Sequence, residues 1–412
     1  SISFPPIKPN TTFTYEFSIR QSGTYWYHSH TGLQEQKGVY GAFVIDDDEE
    51  KLTYDRDYTV VLSDWTNDDP HEVLRTLRRG SHWFALQKGS AQSLFGAIKA
   101  GMIKDYFVRE LQRMPVMDIA DVAYDRFLAN GKPEIFLDAK PGETVRLRIV
   151  DGSATTFFHL NFAGGAMKIV SADGLRVEPV DLDRFLIGVA ETYDILVTIP
   201  DEGMFELRAT SHDTSGFSSV WLGSGQQHAA LNVPPPNMYE SMGGVSLEKV
   251  FAWTPAGAMG MPDKDVKAGK FDESGMMGMG DGMDMAQGHS VHHEMSGSPG
   301  IKEYTEDGSM PYRGGKEFTY NYAPMITDIS SREGLVSDGS PARPWPPYKK
   351  LRSTEKTAFS KDLPVREIRL TLDGDMDRYV WFMNNKPLSA EDTIEVRANE
   401  ITRFIMINRT MM

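Results

Sequence analysis

The chain of 412 residues contains no cysteine. That absence excludes disulfides, zinc ribbons, iron–sulfur ligation, thiolate nucleophiles and thiolate-bound copper within this span. It leaves the compartment open, because reducing and oxidising compartments both tolerate cysteine-free chains. Positive charge is scarce beside negative: 43 Lys and Arg stand against 58 Asp and Glu, for a formal net charge of −15. A phosphate-backbone or anionic-membrane binder needs the opposite balance, so no nucleic acid and no membrane insertion is expected, and partners should be cationic or small. No apolar run is long enough to span a bilayer, and no charged segment followed by an apolar one marks a signal peptide. A Gly-rich phosphate loop, a Gly-X-Ser-X-Gly elbow and a spaced Ser/His/Asp arrangement are also lacking. Paired carboxylates are so common in this chain that they single out no chemistry.

What is present, 40% hydrophobic and 25% charged residues, is the composition of a globular protein with sizeable cores. At about 150 residues per domain the length suggests two or three domains. Phe13, Tyr15, Phe17 and Ile19 alternate with Thr14, Glu16, Ser18 and Arg20, which predicts a half-buried strand. Further strands are expected at Thr24 to His30, Tyr40 to Ile45 and Tyr58 to Leu62. From His71 to Arg113 the period changes: Leu94, Ile98 and Met102 recur every four residues, predicting helices broken at Gly80, Gly89 and Gly101, whose apolar side chains pack against a neighbour. Between Asp118 and Pro234 the strand pattern returns. Val145, Leu147 and Ile149 alternate with Arg146 and Arg148, and turns fall at Pro141-Gly142, Asp151-Gly152, Gly164-Gly165 and Asp173-Gly174. Many short strands at that spacing predict a β-sandwich or Greek-key barrel.

The last segment repeats part of this domain. Phe127-Leu128-Ala129-Asn130-Gly131-Lys132-Pro133 aligns with Trp381-Phe382-Met383-Asn384-Asn385-Lys386-Pro387. Glu143 to Asp151 likewise aligns with Glu400 to Asn408. The chain therefore contains at least two copies of one β-domain. A start at Ser1 and a stop on the strand-like run Ile405 to Met412 read as a chain cut at both ends.

Two features carry chemistry. In Trp26-Tyr27-His28-Ser29-His30, residues i and i+2 of a strand share a face roughly 6.5–7 Å apart, giving parallel imidazoles. His28 and His30 could converge on one metal or each take one of a close metal pair; two hydrogen-bonded histidines at a sheet edge fit the same spacing. The second feature is the segment Gly257 to Gly297, where methionine is about fourfold enriched over its chain-wide rate of 22 in 412. It holds Met259, Met261, Met276, Met277, Met279, Met283, Met285 and Met295 beside His289, His292 and His293. Rich in glycine and poor in aromatic and β-branched residues, it cannot bury a core and should be flexible. Thioethers outside a core suit Cu(I) and imidazoles suit Cu(II), so these residues could collect copper; a plain linker whose methionines absorb oxidants is the alternative. His71, His82, His159, His212 and His228 lack ligand spacing and read as surface or hydrogen-bonded core residues.

The run Gln21 to His30, continued through Gln34-Glu35-Gln36 and Gly38-Val39-Tyr40-Gly41, closely resembles the second copper-ligand motif of bacterial multicopper oxidases of the copper-resistance type. Leu62-Ser63-Asp64-Trp65-Thr66, Ala172-Asp173-Gly174, Val177-Glu178-Pro179 and Val189 to Asp194 fit the same branch, as do the helical insertion and the Met-rich stretch. The resemblance implies an all-β chain of tandem cupredoxin-like Greek-key β-sandwich domains. Residues 1–50 would be the end of a first domain, 51–115 a linker with a short α-helical insertion and 116–236 a complete second domain. Residues 237–325 would be the Met-rich flexible segment and 326–412 the start of a third domain.

The resemblance further implies a periplasmic, monomeric oxidase that couples one-electron oxidation of a small reducing substrate, Cu(I) or a phenol, to reduction of O2 to water. His28 and His30 would each bind one type 3 copper. The family's first motif, His-Trp-His-Gly, would precede Ser1; the third, His-Pro-X-His-X-His, and the fourth, His-Cys-His, would follow Met412. The span then carries two cluster ligands and no type 1 ligand, and alone should be inactive. A copper-sequestering protein acting through the Met-rich segment is the alternative, and a zinc hydrolase built on His28 and His30 a third reading that lacks a further ligand and a base.

Overall fold

The computed structural model describes residues 6–80, 82–111, 119–239, 258–259, 301–302, 340–355, 362–375, 379–384, 386 and 393–408. The chain opens with the antiparallel hairpin β1 (Gly23–His28) and β2 (Tyr40–Ile45), in which Gly23 pairs with Ile45 and His28 with Tyr40. Strand β3 (Arg56–Trp65) follows, then helices α1 (Pro70–Arg78), α2 (Trp83–Lys88), α3 (Leu94–Ala100) and α4 (Ile103–Leu111). The expected breaks are real: Gly80, Gly89 and Gly101 have φ of 61°, 70° and 72°, where a Cβ would be strained. Asp69 starts α1 by accepting the His71 N–H, and Ser93 starts α3 by accepting that of Gly96.

Ten strands complete the central unit: β4 (Arg126–Ala129), β5 (Glu134–Leu137), β6 (Thr144–Asp151), β7 (Phe158–Phe162), β8 (Met167–Ala172), β9 (Leu175–Leu182), β10 (Arg184–Ile187), β11 (Thr192–Thr198), β12 (Gly203–Ser211) and β13 (Phe217–Ser224), with the short β14 (Gln227–His228) at the edge. They form two sheets, one ordered β4-β3-β6-β11-β8-β9 and the other β10-β7-β12-β13-β5, with β14 paired to β12. One core joins them: Leu62, Leu147, Ile149 and Ile195 of the first sheet meet Phe158, Leu160, Phe185 and Leu222 of the second, all buried. This is the expected all-β sandwich, reached because the alternating apolar residues of each sheet have one shared interior in which to leave water.

Beyond it lie the two-residue strands β15 (Ala258–Met259) and β16 (Ile301–Lys302), and then β17 (Val365–Asp375), β18 (Val380–Met383) and β19 (Ile401–Asn408). Strand β17 binds β18 antiparallel and β19 parallel, as β3 binds β4 antiparallel and β6 parallel. The registers agree residue for residue. Leu62 faces Ala129 as Leu372 faces Met383, and Arg56 faces Val145 as Arg366 faces Thr402. The pair Arg56–Glu143 recurs as Arg366–Glu400, and Asn130 and Asn384 share a φ of 48° at the same hairpin turn.

Three expectations need correction. Phe13 to Ile19 forms no strand and all seven residues are exposed, because among the described residues no second strand runs beside it to take its backbone hydrogen bonds. Residues 51–115 are not simply a linker with helices: β3 is an inner strand of the central sheet, so the sandwich begins at Arg56 and only the helices are inserted. In those helices Phe84, Ala85 and Ala97 are buried while Leu86, Phe95 and Ile98 face outward, so much of the apolar surface expected to pack stays exposed.

Candidate metal centre

The hairpin is docked to the sandwich by its first residues. Thr24, the buried residue of β1, donates its hydroxyl proton to Asp194 Oδ1 at 2.6 Å, and its carbonyl accepts from Thr192 Oγ1 at 2.8 Å. Beside it the backbones of Gly23 and Gly174 touch: a Cβ on Gly23 would sit 2.3 Å from the Gly174 carbonyl oxygen. Below the contact lies a charged seam. Arg148 reaches Asp57 at 2.9 Å, Asp46 at 3.4 Å and Asp194 at 3.7 Å, while Arg146 reaches Glu50 at 2.5 Å and stacks over Tyr54. Along β6 these arginines alternate with Val145, Leu147 and Ile149, and both faces of the strand are buried, one by the apolar core and the other under the hairpin. Burial pushes the Asp194 carboxyl up to about 6, against the hydrogen bond from Thr24 and the attraction of Arg148, and raises Asp57 as well.

At the far end of β1 stand Trp26, His28 and His30. Strand β1 ends at His28, so His30 lies just past the ladder and is exposed. The imidazoles nevertheless meet, with ring centroids 4.5 Å apart and planes at 38°, tilted rather than parallel. Trp26 stacks on His28 at 4.3 Å and 10°. The chain then turns back through a one-turn 3-10 helix, Glu35–Lys37, closed by Gly38, whose φ of 90° lets its N–H return to the Glu35 carbonyl at 2.9 Å. Ser29 holds the loop together: its N–H donates to the Val39 carbonyl at 3.0 Å and its hydroxyl to Gln34 Oε1 at 2.7 Å. This closure carries Glu35 Oε2 to 3.1 Å from His28 Nδ1. The contact is at ion-pair range but off the line of a hydrogen bond, since Nδ1 is buried with no aligned partner.

A cavity of about 160 Å³ opens beside Glu35, walled by Gln36, Tyr40, Asp64, Tyr124 and Tyr379 together with the apolar side of α1. Burial raises all three phenols above their ordinary value. Asp64 is structural: its carboxylate takes the N–H groups of Ala154, Thr155 and Thr156 at 2.9–3.1 Å and fixes the loop after β6.

Two imidazoles in contact, one with a buried nitrogen beside a carboxylate, make a donor set that fits copper. Among the described residues no group of three His, Cys, Asp or Glu side chains could hold a metal ion. Of the copper-collecting candidates, Met259 lies in β15 opposite Gly374. Met261, Met276, Met277, Met279, Met283, Met285, His289, His292, His293 and Met295 lie outside the described residues. The other histidines lie apart from this pair. His212 is buried and bonded to the Phe157 backbone, His159 is buried, and His71, His82 and His228 are exposed. Sequence reasoning missed Glu35 and the seam; the signal for Glu35 was a carboxylate five to seven residues beyond the His pair, in a loop closed by glycine.

Family comparison agrees with this architecture. One multicopper oxidase family model matches residues 56–220, the span from β3 into β13, and a second matches residues 1–50, the hairpin segment. The chain belongs to the multicopper oxidase family. It is similar to copper resistance protein A of Escherichia coli, 32% identical over all of this chain and 70% of that protein. A copper resistance protein A homolog of Pseudomonas syringae pv. tomato is also 32% identical, over all of this chain and 69% of its own. Multicopper oxidase MmcO of Mycobacterium tuberculosis is 32% identical over 53% of this chain and 42% of its length.

Proposed function

We propose that the chain belongs to a periplasmic, monomeric copper oxidase of copper resistance, in which His28 and His30 each supply a ligand to one copper of a type 3 pair. The observation that carries this reading is the contact of the two imidazoles at 4.5 Å at the end of β1, in a chain matching copper resistance protein A throughout its length. Bound there, copper would supply one-electron chemistry, taking electrons singly from a Cu(I) or phenolic substrate and delivering them to O2. The chain's own part is to bind and orient. Trp26 fixes the plane of His28, the closed loop fixes the height of His30, and the seam under Thr24 holds the hairpin to the sandwich. Among the described residues no helix is long and apolar enough to cross a membrane. The Met-rich segment is read as a collector of copper. Substituting His28→Ala or His30→Ala in the intact protein should reduce copper-dependent O2 consumption to background while sparing the blue type 1 absorbance; retained turnover would overturn the ligand assignment. Deleting residues 257–297 should lower the Cu(I) stoichiometry, and an unchanged value would remove the segment's role.

A further inference from the structure

We infer that Glu35 is a positioning residue that fixes the tautomer of His28, holding the proton on Nδ1 and leaving Nε2 with the lone pair that faces a metal. The inference rests on the reading of His28 as a ligand and adds to it the residue that orients it. A neutral imidazole carries one N–H, and which nitrogen bears it is decided by the partner of the other. Here Nδ1 is buried and the Glu35 carboxylate, an obligate acceptor when ionised, stands 3.1 Å away.

Trp26 and the closed loop hold this arrangement. Trp26, stacked at 10°, defines the ring plane, so the remaining freedom of His28 is a flip that exchanges the two edges. Glu35 opposes that flip by favouring the N–H edge. Glu35 itself is not free to leave, since it starts the 3-10 turn whose carbonyl is capped by Gly38, and the flanking Val39 N–H returns to the Gln34 carbonyl at 3.0 Å. The loop is in turn tied to β1 through Ser29 and Val39. A carboxylate or carbonyl on the second nitrogen is the usual companion of a metal-bound histidine, and its removal typically costs roughly 10–100-fold in metal affinity.

The test begins with the metal-free chain, where 15N spectra of histidine-labelled protein report the tautomer directly. His28 should carry its proton on Nδ1. Glu35→Ala should shift the population toward Nε2–H, and Glu35→Gln, whose amide oxygen still accepts, should restore the wild-type pattern. An Nε2–H tautomer in the wild type, or no change in Glu35→Ala, overturns the inference, with circular dichroism confirming that each variant is folded. Titration with Cu(II) then separates the two claims. Glu35→Ala should weaken the site that His28→Ala abolishes by about 10–100-fold, and Glu35→Gln should bind as the wild type does. If His28→Ala loses no site while the tautomer still depends on Glu35, the ligand reading fails and the positioning contact stands; an undiminished site in Glu35→Ala overturns the positioning role.

Discussion

The central sandwich and the β1–β2 hairpin touch along Thr24 and are built on opposite rules. In the sandwich both faces of the inner strand β6 are covered, His159 and His212 are buried, and the side chains between its sheets are apolar. In the hairpin Thr24 alone of the β1 residues is buried, Tyr27 and Phe43 are exposed, and the two imidazoles stand at its open end. Imidazoles at an open end can be reached from solvent, as side chains in a core packed to exclude water cannot. The cost is a hairpin too thin to hold itself, which is why the charged seam and the glycine contact are placed beneath it.

Breaking the seam should have the largest effect. Arg148→Ala removes the cation shared by Asp57, Asp46 and Asp194 and leaves the buried Asp194 and half-buried Asp57 carboxylates facing one another, so it should cost about 3–5 kcal/mol in denaturant unfolding. Arg148→Met, which keeps the volume, should lose no more than Ala does. A core truncation in the sandwich, Leu147→Ala, should cost about 2–5 kcal/mol, and O2 consumption by the surviving folded protein should remain. The comparison would fail if this core change released the hairpin before the sheet. Gly23→Ala acts on the joint itself: the added Cβ collides with Gly174, so a loss of about 1–3 kcal/mol is expected, with amide exchange in β1 and β2 rising ahead of that in β6. Uniform exchange across both regions would show that the hairpin is no separate unit.

The smallest effect concerns pH. Asp194 has a folded pKa near 6, above its unfolded value, so between about pH 4 and 6 the folded state holds more protons and stability falls as pH rises. Asp194→Asn should reduce the proton release on unfolding in that window by about one. An unchanged pH profile would mean the seam relaxes as the carboxyl ionises.

Much of the fold was legible because local patterns answer to local physics. The breaks at Gly89 and Gly101 follow from backbone sterics, and strand β2 from a short apolar run with β-branched and aromatic residues. The repeat was legible in the matched runs around Asn130 and Asn384, and the registers of β3 and β17 reproduce it pair by pair. Phe13 to Ile19 misled because alternation reports a strand's wish for a partner and not the partner's presence. Arg146 and Arg148 show the converse: charge alternating with apolar residues does not mark a solvent face where another segment brings counter-charges to cover it.

The sequence by itself determined the class of this protein: the spacing of His28 and His30, the strand periods and the repeated runs are properties of neighbouring residues, and family likeness preserves them. Tertiary structure alone decided that β3 belongs inside the sandwich, that arginines of β6 are buried against Asp57 and Asp194, and that Glu35 returns to His28. Those are contacts between residues 7 to 91 positions apart, or pairings between strands on either side of an insertion. They depend on loop closure and on which surfaces leave water together, and no periodicity along the chain encodes either.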